Sequence, residues 1–315
     1  KQLWKPPNYT TDTRYIHLKE NKFKNLRNMK VIILSDVNSK SESVIPYGLR
    51  LARALEADVD VLHVIDRRLH QANYTQASDS QSITPGSPLS QDEVIKREEG
   101  KADLKLDKVL SRETSRLNYP LRVNRLIREN SIEDELILRA KENPNYIFVI
   151  NAAPDNYMFD STDDIISTLK TTGVISMLVH PENEFKDYRK ALLPVDFESK
   201  KLNAFTDINF LFEKFNMLVD AVSVAPKSEY TVKETTGGAW KKVARDHFLP
   251  TTLKTNVLEG EDFPETVVAY TQRNKHDLII MFQKKENPLT TIFKKNDLDI
   301  ILKKTEIPLL VYFHE

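Results

Sequence analysis

Cysteine is absent from the 315 residues, which excludes disulfides, thiolate nucleophiles and cysteine-held zinc together. That absence suits a reducing, cytoplasmic setting. Glycine is scarce, at seven residues in the chain against an average usage of about 7%. Bare backbone is what lets amide groups close around a phosphate, so this composition argues against a phosphate-cradling enzyme. Net charge is missing as well: Lys+Arg and Asp+Glu both number 46, and no basic footprint for nucleic acid stands out over the whole chain. No run reaches the roughly 18 apolar residues of a membrane span.

What is present is ordinary for a globular protein, with 40% hydrophobic and 29% charged residues. At about 100–200 residues per domain, the length predicts two domains. Residues 1–28 stand apart. They hold seven basic groups against two acidic ones, with Trp4 ahead of Pro6 and Pro7 and no periodic apolar pattern. No apolar core of about 7–15 residues marks a secretory signal. A loosely ordered arm is one reading of this segment. The other is a stretch just inside a membrane, where Lys and Arg are in excess, with the tether lying upstream of Lys1.

From Met29 the pattern alternates. Lys30 to Asp36 (KVIILSD) reads as a buried parallel strand ending in an acid, 39–56 as an amphipathic helix, and 59–65 as a second strand. Residues 67–92, rich in Gln, Ser, Thr and Pro, read as a surface excursion. A helix over 91–117 follows, then strands at 121–127, 146–150 and 175–179 separated by helices at 132–141 and 163–170. Such alternation predicts a parallel sheet with right-handed crossovers.

The order then recurs. Lys30 to Asp36 matches Lys190 to Asp196 (KALLPVD) at an offset of 160, and Leu62 to Val64 matches Val222 to Val224 at the same offset. Tyr146 to Ile150 matches Leu278 to Phe282, and Ile175 to Val179 matches Ile307 to Val311, both at 132. The difference of 28 is close to the length of the Ser/Gln-rich excursion, so the second copy lacks that loop. The expected architecture is α/β: two doubly wound five-stranded parallel-sheet domains in tandem, over 29–184 and 185–315. Runs 175–179 and 307–311 are apolar enough to be hazardous as open edges.

This order of elements resembles the universal stress protein family, as a tandem pair covering about 29–315. The strand closing on Asp, the long amphipathic helix, the LHV triplet and the late strand followed by a helix and a Pro-containing strand carry the resemblance. In the family the fifth strands of two such domains pair with each other, which implies that 175–179 and 307–311 pair within this chain, making a pseudo-dimer. ATP-binding members place a motif of Gly, two residues, Gly, nine residues, Gly and Ser or Thr after the fourth strand. Here those glycine positions fall on Ile150, Ala153 and Asp163 in the first copy and on Phe282, Lys285 and Lys295 in the second. Asp155, Asp160, Asp163 and Asp164 add repulsion against phosphate in the first copy. Lys284 and Lys285, with Lys294 and Lys295, can still draw an anion in the second. No cofactor is therefore expected.

Asp36 and Asp196 sit where ATP-binding members of the family place an acid near adenine, at the strand ends where open sheets bind ligands. Turn formation explains them as well, because Ser39 and Ser199 follow three residues later as helix caps. None of the seven histidines has metal-ligand helix spacing, and His63 reads as a strand-end residue. Asp155, Asp163 and Asp164 suit a magnesium cluster or, more simply, an acidic helix start. Gly237 and Gly238 read as a helix entry before Trp240, and Phe205, Phe210, Phe212 and Phe215 as the buried face of one helix. The expected function is non-catalytic regulation in stress response through a protein partner or small ligand, with a homodimer as one possible assembly. The alternatives are the cytosolic regulatory tail of a membrane transporter and an adenine-nucleotide sensor.

Overall fold

The computed structural model describes residues 29–35, 44–66, 91–143, 145–153, 158–198, 202–245, 252–284 and 296–314. The first half comprises β1 (Lys30–Leu34), α1 (Val44–Leu55), β2 (Asp58–Ile65), α2 (Gln91–Ser115), β3 (Val123–Glu129), α3 (Ile132–Glu142), β4 (Tyr146–Asn151), α4 (Thr162–Thr172) and β5 (Ser176–Val179). The second comprises β6 (Lys190–Pro194), α5 (Asn203–Asp207), α6 (Asn209–Phe215), β7 (Leu218–Ala225), α7 (Tyr230–Ala244), β8 (Thr252–Glu259), α8 (Phe263–Asn274), β9 (Leu278–Lys284), α9 (Asp297–Lys304) and β10 (Leu309–His314).

All ten strands form one sheet in the order β3-β2-β1-β4-β5-β10-β9-β6-β7-β8. Each half is parallel within itself and has the same internal order. The repeat is visible in register: Lys30 pairs with Asp58 as Lys190 pairs with Leu218, an offset of 160 on both strands. The connection after β7 is Pro226 to Glu229, against 66–90 after β2, and the helix that follows has 15 residues in α7 against 25 in α2, so the second half is shorter in both.

The two halves join where β10 runs antiparallel to β5, with Leu309, Leu310 and Val311 opposite Leu178, Met177 and Ser176. The expected pairing of the two apolar runs is what the chain does, and two five-stranded sheets become one ten-stranded sheet. Strand chemistry explains the choice of edge. β5 is buried along its length, whereas the outer strands β3 (VNRLIRE) and β8 (TLKTNVLE) carry charged and polar side chains at solvent. Polar edges resist pairing with other sheets, and apolar edges require it.

Two expectations need correction. The aromatic run of the second copy lies on two short helices, because the chain turns at Ile208 between α5 and α6. Gly237 and Gly238 are not a helix entry but lie inside α7. A Cβ on Gly237 would stand 2.9 Å from two ring carbons of Phe197, so the glycine allows the helix to ride close over that ring. This close approach offsets the roughly 1 kcal/mol of helix propensity lost relative to alanine.

The acidic start of α4 is a cap. The Ser161 hydroxyl accepts the Asp164 amide, satisfying a first-turn donor, and the Asp164 carboxylate accepts the amide of Asp160, the residue before the cap. At its other end Gly173 takes the left-handed conformation (φ 66°) that closes the helix. His63 is buried within β2, with Nδ1 3.3 Å from the Ser35 carbonyl. The arm 1–28, the excursion 67–90 and Asp36, Ser39, Asp155, Ser199, Lys285, Lys294 and Lys295 lie outside the described residues.

Candidate functional site

In a doubly wound half the strand order reverses beside its first strand, and the crevice outside the carboxyl ends there is the natural ligand site. In the second half this crevice lies between β6 and β9. Asp196 leaves β6 at its mouth. Its Oδ1 accepts the Glu198 amide at 3.1 Å, a local turn, and the Lys233 ammonium from α7 at 3.2 Å. Lys233 also donates to Glu198 at 2.7 Å. Partial burial alone would lower the Lys233 pKa, but Glu198 and Asp196 outweigh it and hold the ammonium above its ordinary range. Acid and base are thus committed to one another and to the turn.

Behind this ion pair the crevice is filled with rings. One turn along α7 from Lys233, Gly237 admits the Phe197 ring, and Trp240 packs against it with centroids 5.4 Å apart. Phe205 meets Trp240 edge-on at 6.1 Å and Phe282 edge-on at 4.9 Å; Phe282 in turn meets Tyr312 at 6.2 Å. Phe197, Phe205 and Trp240 are only 3%, 5% and 5% exposed. On the resemblance, the first motif glycine falls on Phe282. A ring packed beneath another ring stands where the resemblance puts bare backbone. Lys284 is the last residue of β9.

The first half blocks the same place differently. Ile150, the equivalent position, is a fully buried strand residue, and the neighbouring Asn151 turns its Oδ1 back to accept the Ala153 amide at 2.8 Å. An amide that a phosphate could have used is therefore already satisfied. Asp163, at the third glycine position, lies in the first turn of α4 beside Asp164. Among the described residues, neither half places glycine at these positions. Among the described residues no group of three or more His, Asp or Glu side chains is placed to hold a metal ion.

The opposite, amino-terminal ends of the strands hold a feature that the sequence reading missed. Lys30 donates to the buried Asp60 at 2.8 Å, and Asn124 donates to its other oxygen. At an offset of 160 the pair recurs: Lys190 lies 3.2 Å from Asp220, whose same oxygen is 3.0 Å from His276 Nε2. The signal was the identity of Lys30 with Lys190 and of Asp60 with Asp220, but only strand register brings each pair together. Burial works to raise the Asp220 pKa, yet its hydrogen bonds to His276 and Lys190 and their charges leave it below the ordinary 3.8.

A depressed folded-state value means that the Asp220 carboxylate stabilises the fold above its unfolded value. The contribution declines as pH falls below 3.8 and vanishes below the depressed value. Asp220→Asn is expected to lose about 3 kcal/mol of stability at neutral pH. In urea unfolding the gap to the parent protein should narrow progressively below that point. A gap constant from neutrality to acid would reject the ion-pair account.

No protein-family model matches this sequence, and no curated protein matches it in sequence. Solved structures do match in fold. A universal stress protein from Archaeoglobus fulgidus DSM 4304 superposes with a TM-score of 0.64 at 14% identity, covering 90% of this chain and 98% of that one. A functionally unknown protein from Pseudomonas aeruginosa PAO1 superposes with a TM-score of 0.53 at 12% identity, covering 92% and 94%. The class defined by strand order and crevice is the doubly wound α/β sheet. Within it, the chain has the universal stress protein fold, two copies in tandem sharing one sheet.

Proposed function

We propose that this chain is a non-catalytic recognition protein of the universal stress protein type, acting in regulation by binding a partner or small ligand. One observation carries the reading: Phe282 stands at the position of a phosphate-cradling glycine, with Phe205 packed on it and Trp240 and Phe197 behind. Rings packed at this place take the position of the bare backbone that a nucleotide phosphate would approach. The domains on this reading are 29–184 and 185–315, with Asp36, Asp196, Lys284 and Lys285 at most the remnant of an anion site. Calorimetric titration with ATP and AMP, each with magnesium, is expected to give no heat of specific binding. Saturable binding in the micromolar range would reject the proposal in favour of a nucleotide sensor.

A second reading rests on the seven basic and two acidic groups of residues 1–28. Such an excess suits attachment to an anionic cytoplasmic membrane face, as in the regulatory tail of a transporter. Among the described residues no helix is long and apolar enough to cross a membrane, so a membrane tether would have to lie elsewhere. The two readings separate in the reading frame upstream of Lys1: apolar spans there support the tail, and a nearby start codon removes it.

A further inference from the structure

A second concavity, of about 600 Å³, lies on the flank where the two halves meet, away from the carboxyl-end crevice. Its volume falls within the roughly 300–1,000 Å³ of small-molecule sites. Phe185, from the segment between β5 and β6, and Phe215, at the end of α6, form its apolar floor. Both rings are anchored from below. Tyr47 meets Phe185 edge-on at 5.4 Å, and Tyr188 meets Phe215 edge-on at 5.0 Å. The two tyrosine hydroxyls are hydrogen-bonded to each other in the core. Burial raises the pKa of both phenols, so the support beneath the floor is neutral as well as rigid.

The walls are cationic. Arg50 and Arg53 project from α1 one turn apart, and Arg116 and Lys214 complete the ring. Two carboxylates also line it. Glu113 is committed to Arg112 at 2.8 Å and Arg116 at 3.3 Å, and Asp187 is exposed. Lys214 pairs with Glu56 at 2.6 Å. Among the described residues Arg50 and Arg53 have no carboxylate partner. The Arg53 guanidinium instead lies 4.2 Å over the Tyr119 ring, which holds the fork in place.

The chemistry of a ligand follows from this division. A bare inorganic anion would pair the guanidinium groups but leave the floor uncovered, and a neutral hydrocarbon would leave the forks unmatched. We propose that this interdomain pocket binds an aromatic oxyanion, its phosphate or carboxylate held by Arg50 and Arg53 and its planar body laid on Phe185 and Phe215. Arginine forks match such groups in two-point geometry. Because the pocket draws on α1 of the first half and α6 of the second, it exists only when the two halves share one sheet.

Calorimetric titration of the full chain with phenyl phosphate tests the site, with inorganic phosphate as the second titrant. Saturable binding of phenyl phosphate is expected, with inorganic phosphate roughly tenfold weaker or worse. The double variant Arg50→Gln/Arg53→Gln should weaken phenyl phosphate by roughly tenfold or more, the scale of charged hydrogen bonds. Its thermal midpoint should stay near the parent's, because both side chains are exposed. Lys233→Gln, in the carboxyl-end crevice, should leave binding unchanged. Absence of binding, equal binding of the two titrants, an unaffected double variant, or loss in Lys233→Gln would each overturn the proposal. Only the last would also place an anion in the crevice that the proposed function regards as filled.

Discussion

Trp240→Ala is expected to lower the unfolding free energy by about 3–5 kcal/mol, the cost of a large buried ring removed from a site that cannot fully collapse. Trp240 is 5% exposed and bridges Phe197 and Phe205, so its loss strips packing from both. The cavity left would be lined by aromatic faces. A dry apolar cavity takes up a matching apolar guest, and 3-methylindole should therefore restore part of the lost midpoint in chemical denaturation. An unchanged midpoint would mean that the rings do not fill the crevice, and the case against nucleotide binding in the second half would fall with it.

Leu310→Asp should be at least as damaging, by more than about 4 kcal/mol, because it introduces a buried charge with no partner. Leu310 is fully buried on β10 between Met177 of β5 and Ile280 of β9. The substitution strikes the one antiparallel seam of the sheet. Its effect should extend to both halves, with tyrosine and tryptophan signals lost in one transition. All of the tryptophan in the described residues lies in the second half, so a tryptophan change without loss of first-half structure would indicate halves that fold independently. An equivalent change at the exposed Leu104 of α2 (74% exposed) should fall within about 0.5 kcal/mol of the parent.

The repeat and its buried strands were readable because parallel strands buried on both faces are written as continuous apolar runs. Runs such as those of β1 and β6 announce themselves without reference to the rest of the chain. The replaced glycines were readable for a similar reason, since a missing glycine is a local fact. Gly237 shows where local reading stops. Two adjacent glycines beside a tryptophan look like a helix boundary, yet the cause of Gly237 is the Phe197 ring, forty residues earlier. The break at Ile208 was hidden in the same way, because the spacing of Phe205, Phe210, Phe212 and Phe215 serves one helix or two.

Asp196 marks the boundary from the other side. Its position at a strand end was plain from the KALLPVD run, and both a ligand role and a turn role were open. The structure commits it to the Glu198 amide and the Lys233 ammonium, because α7 crosses the end of β6 closely enough for that lysine to reach.

By itself the sequence determined the elements, their duplication, the apolar strands that had to be covered, and the absence of glycine from the stretch that follows the fourth strand of each copy. These follow from side-chain period and from the presence or absence of a Cβ, which are properties of neighbours along the chain. Tertiary structure alone decided what fills the crevice, which acid pairs with which base, and that Arg50 and Lys214 face one pocket. Those contacts join residues dozens to more than a hundred positions apart, and they exist only once strand register and helix crossing have set the distances.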